Sequence, residues 1–388
     1  MIDYRLKLPA SQQQIEKRLL AALQSEQFPR ALLLVGAPGI GKRALAIELA
    51  RILSCHSEER KPCGECLSCM GYKREEGKSS WFWILPIESG GKVIGGDDPA
   101  AVEARTEQTV KAIEATIKDP WETTSFSARS SIRIDSVRDV IRELGSKNKW
   151  ARVVLIPEAD RMELGAANAL LKTLEEVPDK TYFILTTANR SDLLPTILSR
   201  CTQLHIPEAP LSEVGAFLEA RGLSTENIGS IWALSSGSPG RALVWTGGRI
   251  EELREMALQL LEWAAAPDMV DAMVWWSQRR QSSRNREVSA FTKDDASLLL
   301  QIIALLLGDL AQLRYGLTIR NIDSSDRLSA LPFAKEGIDT LREMMKGVEI
   351  AEKHLASNVT VERVVIALVL RWRNRNRLDL SWNPEEAM

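Results

Sequence analysis

A glycine-rich loop sets most of what this chain can fold into. Gly36, Gly39 and Gly41 lead into Lys42 and Arg43, after the apolar run Leu32, Leu33, Leu34 and Val35 and before helical spacing from Ala44 to Ala50. Strand, glycine loop, lysine and helix make a phosphate cradle. Backbone N–H groups and a helix N-terminus face the anion, and the lysine adds charge. With strand and helix signals on both sides, a nucleotide site is favoured over a glycine turn without a ligand. The usual pattern continues with serine or threonine, whose hydroxyl binds magnesium. Arg43 stands there instead and has no lone pair to offer a metal.

A working ATPase of this kind also needs an acidic pair at the end of a buried strand. Residues 152–156 read as that strand, followed by Pro157, Glu158, Ala159 and Asp160. Glu158 falls where a water-activating carboxylate belongs, and Pro157 where a magnesium-binding aspartate belongs. Asp160 as a substitute would have to project from a different turn of the chain. Two magnesium ligands lost at separate places argue against hydrolysis, while Lys42 leaves ATP or ADP binding open. Thr187, ending a strand over 182–187, is a candidate γ-phosphate sensor or an ordinary β-branched strand residue. Arg241, after Gly237, Ser238, Pro239 and Gly240, is a candidate phosphate contact or a solvated helix-start residue.

Four of the five cysteines cluster as Cys55, Cys63, Cys66 and Cys69. In a reducing compartment such a cluster argues for metal rather than disulfides. Four thiolates suit a closed, structural tetrahedral zinc; an iron–sulfur cluster is the alternative, without other signs of electron transfer. His56 reads as a neighbour rather than a ligand, and Cys201 as a small packed residue.

The chain of 388 residues suggests about two or three domains. A net charge of −2 gives no general support for nucleic-acid binding, although local basic surfaces such as Arg371 to Arg377 remain open. Residues 1–9 lack an apolar core of signal-peptide length, and the apolar run 298–307 is too short for a membrane span, so the expected location is cytoplasmic. Helical spacing predicts helices over 11–25, up to about 53, and over 134–144 and 164–176. Strands are expected at 32–35, 152–156, 182–187 and 202–206. Alternation of this kind implies a parallel sheet with right-handed crossovers. The stretch 79–131, with glycine-rich turns and a polar helix over about 101–118, reads as an insertion. Beyond Pro207 the strand signals stop.

Ser199-Arg200-Cys201 follows a short helix just before a strand. On spacing alone Arg200 reads as a surface arginine capping that helix; an arginine finger for a neighbouring subunit's ATP is the functional alternative. Taken with the phosphate loop, the four-cysteine module directly after its helix, the degenerate acidic strand, the stretch Asn168-Ala169-Leu170-Leu171-Lys172-Thr173-Leu174-Glu175-Glu176 and Gly237-Ser238-Pro239-Gly240-Arg241, the sequence resembles the bacterial clamp-loader AAA+ subunits of DNA polymerase III. The match runs from about residue 28 to 243, and Arg43 and Pro157 place it with the delta-prime type rather than the hydrolysing gamma/tau type.

The resemblance implies an α/β AAA+ P-loop domain at 1–207, with a parallel sheet and a zinc module inserted at 55–69. It further implies a helical lid at 208–248 and an all-α collar at 249–388 that serves oligomerisation. It implies no ATPase activity of the chain's own within the DNA-polymerizing nucleotidyltransferase holoenzyme. The expected partners are gamma/tau and delta subunits in a hetero-oligomeric ring, with the sliding clamp and primer–template DNA met through the assembly. Arg200 would complete the neighbouring gamma/tau ATP site. The rival readings are an active gamma/tau-like ATPase and a zinc-stabilised adaptor that has lost all nucleotide contact.

Overall fold

The computed structural model describes residues 8–57, 61–66, 68–69, 80–88, 110–121, 130–145, 150–225, 228–246, 250–266, 291–321, 324–357 and 359–374. The chain divides into two compact units, 1–228 with 235–244 and 229–234 with 245–388.

The first unit is built on a five-stranded parallel sheet. In chain order the elements are helix α1 (Ala10–Gln24), β1 (Ala31–Val35), α2 (Lys42–Ser54) and β2 (Trp81–Trp83). Then come β3 (Ile87–Glu88), helix α3 (110–118), β4 (Ser130–Ser131), α4 (Ile134–Leu144), β5 (Arg152–Ile156), α5 (Leu164–Glu175) and β6 (Thr181–Thr187). The chain continues through α6 (Pro195–Leu198), β7 (Thr202–His205), α7 (Leu211–Glu219), α8 (Ile228–Ser235) and α9 (Pro239–Trp245), of which α8 falls mostly in the second unit. Strand order is β2-β5-β6-β1-β7. Leu33 pairs with Leu185 on one side and Gln203 on the other, and Val154 with Phe183.

Side chains alternate across a strand, so each buried strand needs apolar residues on both faces. Leu33, Val154, Ile156, Phe183 and Leu185 face one way and join α4 through Val137, Val140 and Leu144, and α5 through Leu170 and Leu174. Helix α2 covers the sheet against β1, β5 and β6, with α1 beside it. Almost every α2 residue is buried. The sheet thus carries helices on both faces and places the β1–α2 loop at the carboxyl edge of its strands, where ligands bind in open α/β sheets.

The start of the expected insertion needs correction. Trp81–Trp83 is not inserted: it pairs in parallel with Val153–Leu155 as the edge strand of the main sheet. Three aromatic residues are too few to show an alternation, which is why the strand is silent in sequence. After β2 the chain forms β3, which pairs with β4 in a separate two-stranded sheet, Ile87 opposite Ser131 and antiparallel. The inserted segment therefore lies between 88 and 130. Of its polar helix, 110–118 is seen, and 101–109 lies outside the described residues.

The second unit is helical throughout its described part: α10 (Ile250–Ala265), then Lys293–Arg314, Ser325–Ala330, Ile338–Ala356 and Val361–Arg373. The apolar run 298–307 lies within the 22-residue helix Lys293–Arg314, which starts on a Thr292/Asp295 capping box. Its segment Asp295–Arg314 is long and apolar enough to cross a membrane, but half of that segment is buried. It packs against α10 and Ile338–Ala356 as a core helix does. Within it, buried Asp309 accepts hydrogen bonds from the backbone N–H groups of Arg320 and Asn321. Trp372 is packed, donating its indole N–H to Met344 O at 3.0 Å. Trp275, Trp276 and the polar stretch 278–286 lie outside the described residues, as do Arg375 and Arg377 of the basic stretch.

Candidate functional site: a glycine loop and a four-cysteine cluster

The loop leaves β1 at Gly36, whose N–H donates to Thr187 O at 3.3 Å, and enters α2 at Lys42. Gly41 has a φ of 106°, a left-handed backbone that favours glycine. A Cβ there would also lie 2.6 Å from the Gln12 side chain and 2.7 Å from the Trp121 ring. The chain's own residues therefore press on the loop. Gln12, from α1, is buried and donates from Nε2 to Ile40 O. Trp121 is buried, stacks edge-on with Phe217 at 4.6 Å, and keeps its indole nitrogen without a hydrogen-bond partner.

Ser238 and Gly240 bind the loop as well. Ser238 Oγ donates to Pro38 O at 2.9 Å, and the Gly240 N–H donates to Gly39 O at 2.8 Å. Gly240 must lack a side chain, since a Cβ would stand 2.4 Å from Trp121 O. Arg241, the next residue, is half-buried and does not line the loop pocket.

Lys42 turns back on its own loop. Its Nζ donates to Gly36 O at 2.7 Å and to Ala37 O at 2.9 Å. Burial lowers its pKa to about 8, against opposition from Asp160 and Glu158. The unfolded value is 10.5, so between the two the unfolded chain holds more protons and stability rises with pH. Replacing Lys42 by methionine, which keeps the apolar stem, is expected to remove that part of the rise. Urea unfolding of both proteins across this window checks it; an identical pH slope refutes the assignment.

Arg43 lies across the pocket from Glu158. Its Nη2 is 3.1 Å from Glu158 Oε1, and Arg161 Nε is 2.6 Å from Oε2. Both carboxylate oxygens are thus held by guanidinium groups. Glu158 is also fixed in its backbone, with φ 50° and its N–H donated to Thr186 Oγ1. Pro157 is buried at the strand's end.

Of the residues the sequence predicts for this site, Gly39, Gly41, Lys42 and Glu158 line the pocket, and Gly36 does not. Thr187 does not line it. It is fully buried, and its hydroxyl donates to Asn189 O and accepts from Asn189 N–H. Thr186, one step along the strand and facing the other way, lines the pocket instead. Asp160, discounted on its position in the chain, does line it, through the tight turn Ala159–Arg161, and its Oδ1 is buried without a hydrogen-bond partner. Gln12 carried no sequence signal. Trp121 carried a weak one, a lone large aromatic in a polar stretch.

Arg200 is not among the pocket's lining residues. It lies two residues beyond α6, donating from Nη1 to Thr196 O at 2.9 Å and pairing with Glu175.

The four clustered cysteines converge. Their sulfurs lie within 4.8 Å of one another, and Cys63 Sγ is 3.8 Å from Cys69 Sγ. Tetrahedral zinc with bonds of about 2.3 Å sets sulfurs about 3.8 Å apart, so the donor set fits that ion. The N–H groups of Cys63, Cys66 and Cys69 donate to the sulfurs of Cys55, Cys63 and Cys66 respectively. At Cys63 burial acts upward, but N–H donors from Glu65 and Cys66 together with the Cys66 and Cys55 thiols bring the thiol down to about 7. Burial pushes Cys55 and Cys69 up. His56 is not in the cluster: it stacks on Trp150 at 4.2 Å. Cys201 sits in the core with its thiol pushed up to about 11 by burial.

A parallel sheet that delivers a glycine loop and lysine to a helix N-terminus, opposite an acidic strand end, defines a P-loop fold. Residues 11–210 match the family described as DNA polymerase III, delta subunit, and the chain belongs to that family. Its relatives include the DNA polymerase III subunit delta' of Escherichia coli K12, 28% identical over 313 residues, or 79% of this chain and 77% of the relative. The delta' subunit of Pseudomonas aeruginosa is 33% identical over 60% of each chain. The tau subunit of Bacillus subtilis is 28% identical over 59% of this chain and 34% of its own length. The chain is therefore delta-prime-like in sequence.

Proposed function

We propose that this chain is the delta-prime-type subunit of a DNA polymerase III clamp loader, which turns over no ATP and lends Arg200 to the ATP site of a neighbouring gamma/tau subunit. The observation that carries the first half is the Arg43–Glu158–Arg161 cluster. The residue that should ligate magnesium has become a cation, and it neutralises the carboxylate that should activate water. Gln12 and Trp121 reinforce this by filling space against Gly41. Support for the second half is positional: Arg200 lies outside its own chain's loop pocket, partly exposed just beyond a short helix. Purified alone, the chain is expected to release no phosphate from ATP above background; steady turnover would sink this reading.

Three divisions go with the proposal: a P-loop domain at 1–207, a helical lid at 208–248 and a collar at 249–388. Gamma/tau and delta subunits are the partners, the sliding clamp and primed DNA are reached through the assembly, and the setting is cytoplasmic. Zinc, held by Cys55, Cys63, Cys66 and Cys69, supplies structural cross-linking only, since four thiolates leave no open position. Gly36, Gly39, Gly41 and Lys42 are the residues that would still hold a nucleotide, after Lys42 exchanges loop carbonyls for phosphate. Thr187 and Arg241 would join them only after rearrangement.

A second reading, an active gamma/tau-like subunit, draws on one observation: Asp160 brings a buried, unpartnered carboxylate oxygen to the pocket. The same ATPase measurement separates the two readings.

A further inference from the structure

Sulfur positions alone do not fix the loop that carries them. The first and last cysteines of the cluster, Cys55 and Cys69, each adjoin a polar residue, His56 and Ser68. These two neighbours are bonded to each other, His56 Nε2 lying 2.8 Å from Ser68 Oγ. Ser68 Oγ is also hydrogen-bonded to Ser80 Oγ at 3.1 Å, so one hydroxyl joins His56 to Ser80. Ser80 leads directly into β2. The next residue, Trp81, donates its indole N–H to Ser54 Oγ at 2.7 Å, and Ser54 ends α2 just before Cys55. The His56 ring lies on Trp150, with an interplanar angle of 18°, where the chain approaches β5. Both ends of the cysteine loop are thus fastened to the sheet and to each other without any sulfur.

We propose that His56, Ser68 and Ser80 are positioning residues for the four-cysteine site, a sulfur-free strap that holds the first and last ligands near their metal-bound spacing before the ion arrives. The proposal rests on the zinc reading of the cluster. Its physical content is preorganisation: a loop already closed gives up less freedom when the ion binds, so affinity rises without added ligands.

Zinc affinity of the full chain, read by competition with a chromophoric chelator, tests it. His56→Phe keeps a ring to stack on Trp150 but removes the hydrogen bond, and Ser68→Ala removes it from the other side. Each is expected to weaken zinc binding by about 10–100-fold, as loss of outer-shell partners does elsewhere. The double variant should be no weaker than Ser68→Ala alone, because that change already deletes the His56–Ser68 bond. Ser68→Thr retains a hydroxyl and should keep near-native affinity. Should Ser68→Ala fail to fold, Ser80→Ala loosens the same strap from the sheet side. Native zinc affinity in His56→Phe and Ser68→Ala overturns the strap, as does a double variant whose losses multiply. A wild-type chain that takes up no zinc overturns the metal reading itself, a distinct result.

Discussion

Replacing Arg200 with alanine is expected to slow ATP turnover by the reconstituted clamp-loader assembly by about 10³–10⁵-fold, the usual worth of an arginine finger. The side chain is partly exposed, and its present partners are modest ones, the Thr196 carbonyl and the Glu175 carboxylate. A surface pair of that kind contributes about 0–1 kcal/mol, so the variant should fold and assemble as the native chain does. In the assembly, the Glu175 pair would be exchanged for the developing charge on a neighbour's phosphate. Arg200→Lys should recover little, because a point charge does not reproduce the planar guanidinium fork. Assembly with an unchanged rate in the alanine variant would remove Arg200 from the reaction.

Replacing Cys63 with serine is expected to abolish stoichiometric zinc and to cost stability. A ligand that binds only the folded chain, present at about 1,000 times its dissociation constant, stabilises it by about 4 kcal/mol. That contribution should vanish with one thiolate gone. The readout is the unfolding midpoint with and without a strong chelator. The native chain should fall when stripped, whereas the Cys63→Ser chain should start low and not respond. Elemental analysis gives the zinc content of both. Equal midpoints for the native chain with and without chelator would show that the module stands without metal.

Long, strongly patterned elements were legible in the sequence. The strands β1, β5, β6 and β7 and helices α1, α2, α4 and α5 lie where apolar spacing puts them, because burial on two faces or on one stripe imposes that spacing. Edge strand β2 was not legible, since three aromatic residues carry no period. The loop pocket was legible where residues sit in recognisable motifs, Glu158 at its strand end among them. Gly39, Gly41 and Lys42 announce themselves, but Gln12 and Trp121 reach Gly41 from 29 residues before it and 80 after it, distances only the fold closes. Thr186 lines the pocket and Thr187 does not, a difference of one residue, which in a strand means the opposite face. Arg43 in place of a hydroxyl residue is plain in the sequence. Its pairing with Glu158 was hidden, because nothing in a sequence says which of several carboxylates a new cation will meet.

Helix α2 starts at the phosphate loop and ends at the first cysteine, 13 residues in all. At about 1.5 Å per residue that separates the two sites by about 20 Å. The rod between them is buried nearly end to end. Amides in such a helix exchange with solvent in cooperative blocks, and fraying enters from the ends. A chain stripped of metal would therefore show faster deuterium uptake around Ser54 and Cys55 first, while the amides from Lys42 to Ile47 keep their protection. Damage at the cysteine end would then stay local, leaving the glycine loop at the other end of the same helix unchanged.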